Sequence, residues 1–234
     1  MKKRDILNPI ALLISKRKLS KSFKLNDFDS IYDFSQSYIG RGYYDRISLH
    51  QFKDEFRSFV NYVKKTEPKI VVEIGTKKGG SFFMWARYLK PNHLISIDLP
   101  GGIHGGGFPK QKIPFMKYFL SDKKNSKVSV VLGDSHKKET YNQLVNKLNG
   151  RQIDFLFIDG DHRYEGVKSD YEMYSGLVKK GGLIAFHDIV ESDYHHNLNC
   201  YVDKFWNEIK NKHEYVEFIE SPKQRKYGIG VLIK

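Results

Sequence analysis

Five acids, Glu73, Asp98, Asp134, Asp159 and Asp188, stand at or just beyond the ends of short apolar runs. If those runs are parallel strands, the acids gather along one edge of one sheet, the edge at which open α/β sheets bind ligands. The first run leads into Val71-Val72-Glu73-Ile74-Gly75-Thr76-Lys77-Lys78-Gly79-Gly80-Ser81. Gly75 permits a sharp turn close to a ligand, and Gly79-Gly80 permits close contact where a helix begins. This is not the G-x-G-x-x-G fingerprint of dinucleotide sites, because Thr76-Lys77-Lys78 intervenes, and Glu73 suits a cationic group better than a phosphate. Asp98, twenty-five residues beyond Glu73, can accept from two ribose hydroxyls. Gly133-Asp134-Ser135 offers acceptors to an exocyclic amine as well as a cap for the next helix. The chemistry these residues describe together is the binding of a nucleoside that carries a positive charge and no phosphates.

Asp159 and Asp188 would end two adjacent strands and stand side by side at the rim. Hard oxygen ligands in that arrangement suit Mg²⁺. A metal there would lower the pKa of an acceptor hydroxyl and fix its orientation, while Asp161 or His162 takes the proton. His187, immediately before Asp188, is a borderline ligand that shifts preference toward Mn²⁺, Fe²⁺ or Zn²⁺. It also suits a base or an acceptor-orienting donor, and a structural histidine is the plain alternative. His104, His195 and His196 are either surface residues or the lining of an acceptor pocket. Tyr164 either contacts that pocket or staples its loop to a helix. Phe82, Phe83 and Trp85 fall at helical spacing and read as core.

The elements that must position these residues follow from the apolar pattern. Residues 69–74, 93–99, 128–132, 153–158 and 183–186 are short apolar runs of the kind that form buried parallel strands. Residues 81–89, 137–148, 166–178 and 201–210 between and after them read as helices, and 52–63 as an amphipathic helix laid on the core. Strand and helix alternate, which predicts an α/β fold with a doubly wound, mostly parallel Rossmann-like sheet. Residues 215–219 and 227–233, with Ser221-Pro222 between them, predict a C-terminal antiparallel hairpin. The expected division is a basic N-terminal helical arm or lid, residues 1–66, followed by a ligand-binding domain, 67–234. The loop Pro100-Gly101-Gly102-Ile103-His104-Gly105-Gly106-Gly107-Phe108-Pro109 carries five glycines in ten residues, and reads as a lid or substrate loop over the site.

Composition narrows the function. The chain has 234 residues, 40% apolar and 14% aromatic, enough for one good core but not for two independent enzymes. Its single cysteine, Cys200, excludes an internal disulfide and a Cys-rich zinc site, and points to a reducing, cytoplasmic setting. Of the net charge of +13, residues 1–25 hold eight Lys/Arg against one acid, Asp5, a net +7. The rest of the chain is only modestly basic, so nucleic acid is a weak expectation as partner. Residues 6–14 are apolar but interrupted by Asn8-Pro9 and too short to span a bilayer. A solvated, partly helical arm is expected there, with a peripheral membrane or partner contact and a targeting peptide as alternatives.

Through Glu73 to Ser81, Asp98 and Gly133-Asp134-Ser135, the sequence resembles the class I S-adenosylmethionine-dependent methyltransferases over residues 67–234. Residues 155–168, Phe-Leu-Phe-Ile-Asp-Gly-Asp-His-Arg-Tyr-Glu-Gly-Val-Lys, and 181–188, Gly-Gly-Leu-Ile-Ala-Phe-His-Asp, look more narrowly like one branch. That branch contains the cephalosporin-biosynthesis methyltransferase-like proteins and the metal-dependent sugar O-methyltransferases. The resemblance implies that Glu73 and the turn containing Gly75, Thr76, Gly79 and Ser81 hold the methionine end of S-adenosylmethionine, Asp98 the ribose, and Asp134 with Ser135 the adenine. It implies Asp159, Asp188 and His187 around a divalent metal, Mg²⁺ or Mn²⁺, and Asp161 at the position of a general base. The sugar-methylating relatives carry an acid where this chain has His187. The expected function is O-methylation of a small polar acceptor, a sugar or glycosylated metabolite, by a possible homo-oligomer. An RNA-binding methyltransferase or RNA-binding module, and a non-catalytic nucleoside-binding or docking protein, are the rivals.

Overall fold

The structure is a computed structural model that describes residues 8–101, 107–122, 124–221 and 223–234. Residues 102–106, with His104, therefore lie outside it, as do the basic residues Lys2, Lys3 and Arg4 and the turn residue Pro222. Three helices come first: α1 (Asn8–Leu19), α2 (Phe28–Ser37) and α3 (Lys53–Lys65). There follow β1 (Ile70–Ile74), α4 (Gly80–Met84), β2 (His93–Asp98), α5 (Ile113–Met116), β3 (Lys127–Leu132), α6 (Lys138–Leu148) and β4 (Ile153–Ile158). The remainder is α7 (Tyr164–Tyr174), β5 (Val178–His187), α8 (Asp193–Asn197), α9 (Val202–Ile209), β6 (Glu214–Phe218) and β7 (Ile229–Ile233).

The strands form one seven-stranded sheet in the order β3-β2-β1-β4-β5-β7-β6. β1 to β5 are parallel, and β7 is antiparallel to both β5 and β6. Chain direction across the sheet reverses beside β1, the switch point at which such sheets open a crevice. Register is what builds the site. Ile74 pairs with both Ile97 and Ile158, and Ile158 with Phe186. The next residues, Gly75, Asp98, Asp159 and His187, therefore emerge from one row at the carboxyl edge.

Alternate residues of each strand feed opposite layers, as the two-residue strand period requires. Val71, Phe155, Phe157 and Ala185 pack beneath Phe28, Phe56, Phe59, Phe82, Phe83 and Trp85. Val72, Ile95, Leu156 and Ile184 face Leu144, Tyr174, Phe205 and Trp206 on the other side. α1 is a helix with Ile10, Leu13 and Ile14 exposed, and the residues after it pack onto the sheet. Leu19, Phe28, Ile31, Tyr44 and Phe56 are buried in the same core as the sheet, because their aromatic bulk is the cover of one sheet face. No described helix is long and apolar enough to cross a membrane.

β5 begins at Val178 rather than 183, and α7 ends at Tyr174. Lys179-Lys180-Gly181-Gly182 interrupts the apolar run, and a register shift between Ile153 and Phe155 lets the chain pass with Gly181 at φ +73°. The short helices α5 and α8 have too few turns to leave a periodic signature.

His93, at the start of β2, is fully buried; its ring contacts Ser129 Oγ at 2.8 Å and Arg151 Nη2 at 3.1 Å. Arg151 donates to Nδ1, so Nε2 carries the proton and the ring is neutral. Burial, then the nearby Lys127 and Arg151, pulls its pKa down to about 4. The unfolded imidazole titrates at its ordinary value of 6.5, so stability is present above that pH and is lost as pH falls toward 4. Up to roughly 3 kcal/mol is at stake. His93→Gln should therefore lose less melting temperature than the wild type between pH 7 and pH ~4.5, measured by calorimetry.

Candidate active site

The turn after β1 is built for close approach. Gly75 has φ +88°, and a Cβ there would lie 1.9 Å from the carbonyl oxygen of Asp159. The loops after β1 and β4 therefore touch through backbone, and only glycine fits between them. Lys77 follows at φ +48° and donates its backbone N–H to Asp98 Oδ2 at 2.6 Å. Asp98 is buried, which raises its pKa, and the bond from Lys77 fixes its carboxylate against the turn. Lys112, buried and not anticipated from sequence, donates to the carbonyls of Lys78 (2.9 Å) and Arg46 (3.2 Å). It clamps the turn from below, and burial pulls its pKa down to about 8.

Glu73, Thr76 and Ser81 depart from the expected ligand contacts. Glu73 is fully buried; it accepts from Thr76 Oγ1 at 2.9 Å and Trp85 Nε1 at 3.0 Å, with Ser81 as a third donor. Thr76 Oγ1 also meets Ser96 Oγ at 2.7 Å. These side chains turn inward and tie β1 to α4 because Trp85 needs a partner for its indole N–H in the core. Burial pushes Glu73 up to about 8.

After β3, Asp134 Oδ1 accepts from the N–H of His136 at 3.0 Å, and Ser135 O accepts from Tyr174 at 2.6 Å. His136 reaches buried Asp170 at 3.4 Å, which raises the histidine's pKa. Asp161 joins this side of the crest. Its carboxylate packs against Gly166 at the start of α7 and is held bidentately by Arg163, with Nε–Oδ1 at 2.9 Å and Nε–Oδ2 at 3.1 Å. Burial would raise its pKa, but Arg163 overrides that and holds it below the usual carboxylate range. Asp161 is thus ion-paired to Arg163 at the start of α7.

The expected metal ligands do converge. His187 Nδ1 lies 3.2 Å from Asp159 Oδ1 and 3.2 Å from Asp188 Oδ1. His162 bridges the same acids, Nδ1 to Asp188 Oδ2 at 2.7 Å and Nε2 to Asp159 Oδ1 at 3.5 Å. Burial opposes charge on all of them, but the mutual attraction wins. Asp188 is held well below, and both histidines well above, their ordinary values. His187 is buried, and neither ring nitrogen makes a directed hydrogen bond, since its contacts with the acids are charge contacts only. One ligand atom each from Asp159, His187 and Asp188 lie within 4.8 Å of one another, as do those of His162, Asp188 and Cys200. Two carboxylates converging on a buried imidazole offer a donor set that fits a divalent ion.

Backbone strain marks the same place. Asp188 has φ +63° and Tyr227 φ +65°, costly for residues with side chains and concentrated where structure must over-determine position. Tyr227 lays its ring 5.5 Å from that of His187, and its N–H donates to His195 Nε2 at 3.2 Å. His195 is buried and donates Nδ1–H to Val190 O at 2.8 Å. It supports the crest rather than lining a pocket. Buried Glu55 on α3 accepts from Gln224 Nε2 (2.7 Å) and Gly228 N (3.2 Å), anchoring the loop that carries Tyr227. Beyond Asp188, a cavity of about 390 Å³ is lined by Glu191, Ser192, Asp193, His196, Gln224 and Arg225. Tyr164 donates to Glu208 and stacks edge-on with Phe205, stapling α7 to α9. Phe82, Phe83 and Trp85 are core.

Residues 72–189 match a protein family described as a methyltransferase domain. An uncharacterized protein of Acanthamoeba polyphaga mimivirus is 37% identical over 119 residues, 50% of each chain. An uncharacterized protein of Sinorhizobium fredii is 24% identical over 130 residues, 54% of this chain and 14% of that one. The chain thus spans half or less of the length of these curated relatives. Among solved structures, an O-methyltransferase from Bacillus cereus, in complex with S-adenosylhomocysteine, superposes with a TM-score of 0.56. It is 14% identical, with 99% of this chain and 100% of that one covered. The O-methyltransferase TomG from Streptomyces achromogenes, in complex with S-adenosylmethionine, gives 0.54 at 12% identity with both chains fully covered. At these identities the likeness shows the fold.

Proposed function

Because the chain belongs to the methyltransferase-domain family, we propose that it is an S-adenosylmethionine-dependent O-methyltransferase. Its acceptor is the hydroxyl of a small polar molecule, a sugar or glycosylated metabolite, and a divalent metal assists. The observation that carries this reading is the meeting of Asp159 and Asp188 around His187, 3.2 Å from each, on the row that also presents Gly75 and Asp98. A nucleoside-binding turn and a metal-competent acid pair on one crest suit metal-assisted methyl transfer to a hydroxyl.

The turn from Gly75 to Gly79 offers backbone groups to the methionine end of the donor. Asp98, oriented by Lys77, accepts from the ribose, and Asp134 with Ser135 borders the adenine. Asp159, Asp188 and His187 would hold the ion, which supplies a lowered hydroxyl pKa and an orienting charge when bound. Asp161 or His162 takes the proton of the acceptor hydroxyl; His162 stands between the two acids, with Nδ1 2.7 Å from Asp188 Oδ2 and Nε2 3.5 Å from Asp159 Oδ1. The open polar pocket lined by Glu191, Ser192, Asp193, His196, Gln224 and Arg225 would receive the acceptor. In-line displacement at a sulfonium methyl is chiefly a matter of placement, and a crest fixed by backbone strain, Lys112 and Glu55 is suited to it.

Incubation with methyl-labelled S-adenosylmethionine and a panel of glycosides, with and without chelator, tests the proposal. Label should enter a glycoside and chelator should suppress it; absence of transfer to any hydroxyl compound contradicts it. Asp98→Ala should weaken S-adenosylhomocysteine about tenfold or more by calorimetry, the worth of one or two charge-assisted ribose hydrogen bonds. Unchanged affinity would remove Asp98 from the ribose site.

A further inference from the structure

We propose that α1 is a docking surface for anionic lipid membranes, an interaction separate from methyl transfer and independent of the site above. The helix is apolar along two faces. Leu12 and Ala11 pack toward the core and Leu19 is buried within it, yet Ile10, Leu13 and Ile14 are 59%, 70% and 39% exposed. Their spacing puts all three on one outward stripe, which Arg17 continues one turn later. An apolar helix face normally has a cover, and among the described residues this one has none.

The charge around the stripe identifies the cover. Arg17, Lys18, Lys21 and Lys24 are exposed beside it, and none makes an ion pair among the described residues. Lys18 donates to the carbonyl of Ile39 at 3.0 Å, which brings a further aliphatic side chain, 56% exposed, to the edge of the patch. The acids that might have neutralised these cations are committed elsewhere. On α2, Asp29 and Asp33 pair with Lys53 at 3.1 and 2.6 Å, and Asp29 also with Arg57. A second copy of the chain would bring like charges together over the stripe. Aliphatic residues flanked by unpaired cations match the acyl boundary and headgroups of an anionic leaflet.

The test is cosedimentation of the full chain with vesicles of phosphatidylcholine alone or with about 30% phosphatidylserine. Binding should require phosphatidylserine and weaken as salt rises past ~0.3 M. Leu13→Asp, at an exposed position away from the site, should lower binding about tenfold or more. Arg17→Glu with Lys18→Glu should lower it about fivefold per charge. Both variants should keep the circular dichroism and S-adenosylhomocysteine affinity of the wild type. No binding to phosphatidylserine vesicles at low salt overturns the proposal. Salt-sensitive binding that survives Leu13→Asp overturns it in favour of a nucleic acid or other polyanion. A dimer in ultracentrifugation that Leu13→Asp dissolves, without vesicle binding, assigns the stripe to a second copy. Loss of methyl transfer with vesicle binding intact would sink the enzyme reading alone.

Discussion

Asp188→Asn is expected to lower kcat for methyl transfer by about 10³-fold, roughly 4 kcal/mol, while S-adenosylhomocysteine affinity stays within about twofold. Asp188 is the hub of the crest. One oxygen faces His187 and His195 at 3.2 and 3.4 Å, the other His162 at 2.7 Å. The amide keeps the shape but removes the charge that orients His162 and completes the acid pair. The residues proposed to hold the donor, Gly75, Asp98 and Asp134, are not ones Asp188 touches in the geometry above, so the two readouts should separate. Leaving buried His187 without one of its counter-charges also costs stability, about 3 kcal/mol by analogy with broken buried pairs, so the assay belongs well below the melting temperature. Turnover equal to wild type would remove Asp188 from the mechanism.

Gly75→Ala should be among the most damaging single methyls at the described glycines. The added carbon would sit 1.9 Å from a backbone oxygen of Asp159 and 2.7 Å from Cα of Gly160, at a φ of +88° that alanine avoids. Neither neighbour is a side chain that can swing away. The β1 and β4 loops must separate, at a cost on the order of 3–5 kcal/mol, and with them the row that presents Asp98 and Asp159. Chemical denaturation should show that loss and calorimetry should show no S-adenosylhomocysteine binding. Gly176→Ala is the control: its Cβ would meet nothing within 4 Å, so stability should change by less than about 0.5 kcal/mol. Equal stabilities for the two variants would contradict the close approach of the loops.

The sheet was readable from sequence because parallel strands buried on both faces are continuous apolar runs, and β1, β2 and β4 are of that kind. β5 was readable only in its second half, since Lys179 to Gly182 carries polar residues and glycine through a bulge. The covering role of α2 was hidden because aromatic cover and solvated arm differ in tertiary partners, not in local pattern. At the site, the acids after β1, β2, β4 and β5 could be placed on one edge by topology alone. Their orientation could not. Glu73 turns inward because Trp85, twelve residues on, needs its carboxylate, and Asp161 is taken by Arg163. Lys112, Glu55 and Tyr227 shape the crest from far along the chain, and nothing in their immediate sequence announces it. The positive φ at Asp188 and Tyr227 is likewise a tertiary imposition, visible only once β7 lies against β5.

The account stands or falls on a donor nucleoside lying over the carboxyl edge of the sheet, which a crystal structure of the chain soaked with S-adenosylhomocysteine would show directly. The ribose should be found on Asp98 and the amino-acid end along the Gly75–Gly79 turn, with the sulfur facing Asp159 and Asp188. Density for the nucleoside elsewhere, or an empty crest in a crystal whose protein instead takes up a nicotinamide dinucleotide, would contradict it.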